Sequence, residues 1–197
     1  MLKKIVIILT LILWPLNLII KNDLPKLEIP KTIFEKDYQA EQLILRNIHL
    51  YPDTFTARVF QNKARIYINK FSGNFFALTD PNNYFFGLHP RPIVPDNKNI
   101  FKFPFVAIIF FLYGVFTIRR YKYKKGLGII LSVLIILLSL LKNFDSYDFI
   151  LWIPLSLIII HGVQTLSKDK YGIFRITTIV FIIYAIPEIL RSFIKGS

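Results

Sequence analysis

Apolar residues gather into five runs along the chain, at positions 5–20, 103–118, 126–141, 149–163 and 176–190. Each is about fifteen or sixteen residues, or roughly 24 Å of helix, slightly short of a ~30 Å hydrocarbon core. Flanking Lys and Arg can close that gap by laying their alkyl stems along the helix toward the headgroups. One such run would also suit the buried helix of a soluble core. Five of them, four within the last 95 residues, predict an all-α integral membrane protein with about five transmembrane helices.

The longest polar stretch, residues 21–102, separates the first run from the second. Residues 21–36 contain Pro25 and Pro30 and predict an extended stalk. From Asp37, a suitable cap, Ala40, Leu43, Ile44, Asn47 and Ile48 recur at helical spacing. Pro52-Asp53-Thr54 ends that helix and can start another. Phe60, Ala64, Tyr67, Ile68, Phe71, Phe75 and Leu78 then keep helical spacing, with a strand over 65–69 as the alternative. About eighty residues build only a small core, so these helices should lean on the membrane surface or on another subunit. Residues 79–99 hold four prolines and four asparagines without periodicity and predict a long, functional loop. Its Tyr84-Phe85-Phe86 would be costly to leave in water, so the loop should be ordered. The implied organisation is a signal anchor over 1–20, a mainly helical extracytoplasmic segment over 21–102, a four-helix transmembrane region over 103–190, and a tail over 191–197.

Charge orients this arrangement. The chain carries 25 basic and 12 acidic residues, a net +13, and its mean hydropathy is +0.49. With the N-terminus in the cytoplasm, the inside segments hold Lys3, Lys4, Arg119, Arg120, Lys122, Lys124, Lys125, Lys168, Lys170 and Arg175 against the single acid Asp169. The short outside loop holds Lys142, Asp145 and Asp148, and the outside C-terminus holds Glu188, Arg191 and Lys195. This is the positive-inside pattern of a multi-pass protein of the cytoplasmic membrane. The same cations attract anionic lipid. A nucleic-acid partner is not expected, because the 119–125 cluster is pinned against the bilayer. Lys3 and Lys4 before an apolar stretch also describe a cleavable signal peptide, but no Ala-x-Ala-like site follows. Pro15 and Asn17 should kink that span or place a polar spot near its outer end. The last run could instead lie at the interface, leaving the C-terminus inside.

Candidate chemistry is sparse. The absence of Cys excludes disulfides, thiolate metal sites and a cysteine nucleophile. There is no phosphate-cradling glycine loop, no His-Glu-x-x-His and no Gly-x-Ser-x-Gly. His49, His89 and His161 are widely separated, so neither a metal nor another cofactor is expected. Asp145 and Asp148 read as solvated loop carboxylates, and Glu188 as a solvated group at the interface. Gly128, Ser132 and Ser139 form a narrow stripe suited to close helix packing. The polar residues that stand out are His89, Arg91 and Asp80 in the proline-rich loop. An Arg flanked by prolines offers a planar fork to a phosphate. Equally, Arg91 could pair with Asp80 or Asp96 and staple the loop.

Several strings resemble part of a known family. They are Asn62-Lys63, the run from Asn74 to Pro92 ending in His89-Pro90-Arg91-Pro92, then Phe103-Pro104-Phe105, Leu112-Tyr113-Gly114, Ile153-Pro154-Leu155 and His161-Gly162. Together, over about residues 58–166, they resemble the C-terminal membrane portion of mannosyltransferase-like integral-membrane glycosyltransferases of the GT-C type. Those enzymes take sugars from polyprenyl phosphates. The resemblance implies His89 and Arg91 as positions facing a lipid phosphate. In that family the catalytic acid lies in the first outside loop, which here offers only Asp23 and Glu28. The expectation is therefore an accessory or degenerate component of cell-envelope glycan assembly, not a complete enzyme. It would contact a polyprenyl-phosphate sugar or a partner membrane glycosyltransferase. The alternative is an assembly protein that docks a partner through its extracytoplasmic segment.

Overall fold

Each of the five apolar runs folds as helix in the computed structural model, which describes residues 2–20, 29–35, 38, 42, 45–46, 63–86 and 102–194. The helices at the runs are α1 (Leu2–Leu18), α4 (Ala107–Phe116), α5 (Lys124–Ser139), α6 (Trp152–Asp169) and α7 (Tyr171–Ile194). Between the first two runs lie α2 (Lys63–Thr79) and α3 (Pro81–Phe85). The described residues are mostly helical and contain no strand, so the strand alternative over 65–69 is excluded. The break expected at Pro52 lies outside the described residues, as does most of the helix expected from Asp37.

Helix α6 is the hub. It touches α1, α4, α5 and α7, and Trp152, Leu155, Ile158, Ile159, Val163 and Leu166 are all buried. Its tightest partner is α4. A Cβ on Gly162 would lie 2.8 Å from the Phe110 carbonyl carbon and 2.9 Å from the Gly114 amide nitrogen. A Cβ on Gly114 would lie 3.1 Å from the Ile158 carbonyl carbon. Two glycines thus let two backbones touch. The close-packing stripe expected at Gly128, Ser132 and Ser139 is not the one used. Gly128 and Ser132 are exposed and Gly128 faces open space, whereas Ser139 is buried. Spacing along a helix cannot say which face meets a neighbour, and here the all-aliphatic outer face of α5 carries the stripe.

Pairings set the directions. Gly114 meets Ile158 and Gly162, Thr117 meets His161 and Thr165, and Arg120 meets Asp169, so α4 and α6 run the same way. On α7, Phe174 and Phe181 contact Phe110 while Tyr184 contacts Phe105, so α7 runs back against α4.

The segment between the first two runs leans on the C-terminal end of α5. Ile33 N–H donates to the Leu140 carbonyl (2.9 Å), and Lys142 N–H to the Lys31 carbonyl (2.7 Å). Asn143 closes the contact through its amide, accepting from Lys31 N–H and donating to the Ile29 carbonyl. Asn74, buried on α2, donates to the carbonyls of Ser139 (3.0 Å) and Leu141 (2.8 Å). Those carbonyls are among the ones a helix end leaves without partners. Of the stalk expected over 21–36, only 29–35 lies within the described residues; it is seated on the bundle and ends in a turn closed by Glu35 N–H on the Thr32 carbonyl (3.3 Å).

Among the described residues one helical stretch, Asp148–Asp169 (22 residues), is long and apolar enough to cross a membrane. The apolar parts of α1, α4 and α7 are shorter, at Lys4–Asn17, Ala107–Phe116 and Tyr171–Ala185. In α4 the reason is local. Pro104 and Phe105 open the run with turns, and Thr117 closes it before the 3-10 turn Ile118–Arg120.

Candidate functional site

The end of the bundle where α4 and α6 begin brings Asn83, Lys102, Asp148 and Trp152 together. Asp80 caps α3, its carboxylate accepting from Asn82 N–H (2.9 Å), with Pro81 in the first helical position. This short helix, unforeseen in a stretch without periodicity, buries Asn83, Tyr84 and Phe85. Phe103 N–H donates to the Tyr84 carbonyl (2.9 Å), which sets Lys102 beside α3. The Lys102 ammonium forms an ion pair with Asp148, donates to Asn83 Oδ1 (3.0 Å), and lies 5.3 Å from the Tyr84 ring and 5.8 Å from the Trp152 ring. Its side chain is 13 % exposed and that of Asp148 only 4 %.

Two buried donors in this cluster make no hydrogen bond, Asn83 Nδ2 and Trp152 Nε1. The Asn83 orientation is fixed by chemistry. An ammonium only donates, so the amide oxygen must face Lys102 and the NH2 group turns away. Buried donors are nearly always partnered in native proteins, so these two orphans, both closed off from solvent, are an exception. The Tyr84 hydroxyl donates to the Leu78 carbonyl (2.7 Å). Burial, and then the carboxylates of Asp148 and Asp80, push its pKa well above the ordinary phenol value.

Beside this cluster lies an apolar cavity of about 170 Å³ between α2, α3, α4, α5 and α6. Leu78, Tyr84, Phe85, Phe111, Ile135 and Leu155 line it. Tyr84 belongs to both, with one part toward Lys102 and another on the cavity. The cavity suits a small apolar group such as part of a hydrocarbon chain, and Tyr84 links it to the polar cluster.

Of the residues singled out in the sequence, Asp80 is a helix cap, and His89 and Arg91 lie outside the described residues. Asp148 corrects an expectation, being buried and ion-paired where a solvated loop carboxylate was expected. Lys102 and Asp148 had a legible signal. Each immediately precedes an apolar run that enters the bundle in the same direction, so opposite charges meet at the same height. Asn83 and Trp152 had no signal, since their importance rests on an unused hydrogen-bond donor.

At the opposite end, Arg120 pairs with Asp169, and Tyr113 OH donates to the same carboxylate (3.2 Å). His161 Nε2 lies 3.2 Å from the Thr117 carbonyl at the end of α4. Among the described residues no three His, Asp or Glu side chains converge on a metal-sized site. No family model, curated protein or solved structure matches the chain.

Proposed function

We propose that the chain is a multi-pass membrane protein that holds a lipid-linked sugar at the outer end of its bundle, as an accessory or degenerate component of envelope-glycan assembly. In this reading α1, α4, α5, α6 and α7 are five spans, the N-terminus is inside and the C-terminus outside. Exposed faces support it. Leu9 and Leu13 on α1, Ile129 and Ile130 on α5, and Ile176 and Ile183 on α7 are 50–66 % exposed. Soluble monomers rarely present apolar faces of this extent. The hydroxyls of Thr10, Thr117, Thr165 and Thr178 donate to carbonyls four residues earlier in their own helices, as an apolar solvent requires. Helices shorter than the hydrocarbon core are met by local bilayer thinning. Labelling from outside of a Cys introduced at Tyr123 would refute this topology.

The observation that carries the function is the apolar cavity sharing Tyr84 with a polar cluster that holds two unpartnered N–H donors. An engineered cavity of ~150 Å³ takes one benzene, so this one takes about one isoprenoid unit. The Lys102–Asp148 pair is neutral overall, so countercharge for a phosphate falls to Arg91 and His89. The sugar comes from the resemblance alone, and without an acidic pair in the first outside loop we assign binding, not transfer.

The test is thermal melting of the full chain in mild detergent with a polyprenyl phosphate or a polyprenyl-phosphate sugar. Wild type should melt higher with either lipid. Ile135→Phe, which fills the cavity, and Arg91→Lys should lose the shift. If wild type shows no lipid-dependent shift, the reading fails. The second reading, a partner-docking assembly protein, then stands on the exposed Ile68 (62 %) and Phe76 (69 %) of α2.

A further inference from the structure

The inner end of the bundle joins two turns that are about fifty residues apart in sequence. The Arg120–Asp169 pair and the Thr117–Thr165 contact (3.2 Å) hold the α4–α5 turn against the α6–α7 turn. Asp169 is the only acid in either turn, and it is engaged by Arg120 and Tyr113. Arg119, Lys122, Lys125, Lys168, Lys170 and Arg175 are all exposed around that closed pair. The Lys124 ammonium folds back onto the Arg119 carbonyl (2.8 Å), which ties the first turn together. Three large aromatic side chains stand exposed among these cations, Phe116 (81 %), Tyr123 (62 %) and Tyr171 (67 %).

We infer that this collar binds anionic phospholipid headgroups, a site separate from the outer cavity; the inference rests on the multi-pass reading. Cations on two turns share one surface, and among the described residues Asp169, the acid of these turns, is already engaged by Arg120 and Tyr113. Interfacial aromatics sit at headgroup depth. That combination fits a phosphodiester layer flanked by acyl chains. An acidic protein would need no exposed Phe116, and a nucleic acid would be held off by the apolar helix faces directly behind the collar. Each Lys or Arg near an anionic surface contributes about a fivefold preference, falling as salt shortens the Debye length.

The experiment uses the full chain in neutral detergent and measures binding of fluorescent short-chain phosphatidylglycerol against phosphatidylcholine. The expected result is at least about a tenfold preference for phosphatidylglycerol at low salt, collapsing at 0.5 M NaCl. A variant with Lys122, Lys125, Lys168 and Lys170 all changed to Gln should lose the preference and melt as wild type does. Lys142→Gln at the outer end should keep it. Equal binding of the two lipids by wild type, or an undiminished preference in the four-site variant, overturns the inference. Release of the protein from vesicles by alkaline carbonate overturns the multi-pass reading instead, so the two failures are distinguishable.

Discussion

Gly162→Ala and Gly128→Ala are the same chemical change in two helices of the bundle, and the structure assigns them opposite signs. A methyl at Gly162 meets the Phe110 carbonyl carbon at 2.8 Å and the Gly114 nitrogen at 2.9 Å. Carbon atoms in good contact sit about 3.5–4.0 Å apart, so α4 must retreat by roughly 1 Å. The obstacle is backbone, so no rotamer change relieves it. Overpacking of this kind costs about 1–3 kcal/mol, and the upper part of that range applies here. Against it stands the ~1 kcal/mol by which Ala exceeds Gly in helix propensity. The net expectation for Gly162→Ala is a loss of about 1–2 kcal/mol. At Gly128 nothing lies within 4 Å of the new methyl. Only the propensity gain remains there, up to about 1 kcal/mol. The two variants should differ by about 2–3 kcal/mol, or roughly 5 °C or more in Tm for a chain of this size. Thermal melting in mild detergent, followed by emission from the buried Trp152, reads the difference. If Gly162→Ala melts at or above Gly128→Ala, the backbone contact between α4 and α6 is wrong.

Asn74→Leu removes both donors to the Ser139 and Leu141 carbonyls and should cost about 2–3 kcal/mol in the same assay. Asn74→Asp should fare at least as badly, because an ionised carboxylate faces carbonyls with acceptors only. Lys102→Met leaves Asp148 buried without its ammonium and should destabilise by about 3–5 kcal/mol, whereas Lys102→Met with Asp148→Leu should recover most of the loss; a single variant no worse than the double would contradict a buried pair. Tyr84 should ionise only well above pH 10, as ultraviolet difference titration against Tyr84→Phe would show. Because its folded pKa is raised, its contribution to stability is whole below pH 10 and is lost as pH climbs toward the folded value. A phenol titrating near pH 10 in the folded protein would refute its burial.

The sequence made the bundle legible where one residue type decides the outcome. Runs of Ile, Leu and Phe fold as helices because apolar side chains at every position leave the backbone no better way to satisfy itself. Tyr84 and Phe85 were foreseen as buried for the same reason, and both are at most 3 % exposed, although Phe86 is 41 % exposed. Helix α3 was hidden because its five residues are too few to show a period, and only Asp80 before Pro81 signals it. The packing seam was misplaced because Gly114, Gly162 and Gly128 look alike in sequence and differ only in what lies opposite. The candidate site was not read from the sequence. Charges at the heads of two runs could have pointed to Lys102 and Asp148, but Asp148 reads locally as a solvated loop carboxylate, and nothing local distinguishes Asn83 from its neighbour Asn82.

Most buried polar side chains in the bundle do one kind of work, and that singles out the exception. Asn74 serves the carbonyls at the end of α5, Tyr84 the Leu78 carbonyl in the last turn of α2, and His161 lies on the Thr117 carbonyl at the end of α4. Each answers the demand of a helix terminus for partners where water is excluded. The threonine hydroxyls bond within their own helices. Such groups would be needed whatever the protein did, so a polar residue inside the bundle is not by itself a sign of function. His161, an ionisable side chain in the stretch that is both long and apolar enough to span, loses its functional appeal on this ground. Lys102, Asp148, Asn83 and Trp152 do not yield to the same explanation. A charge pair placed where it is nearly sealed from water is often no more stable than an apolar pair of like volume, although Asp148 opens the helical stretch Asp148–Asp169, where a negative charge is favoured. Two orphaned donors beside it add a cost of their own. Trp152 contributes to the core through its ring, but stability alone calls for neither the charge pair nor the two orphaned donors, so this end of the bundle, next to an apolar cavity, is where the lipid-binding proposal is best tested.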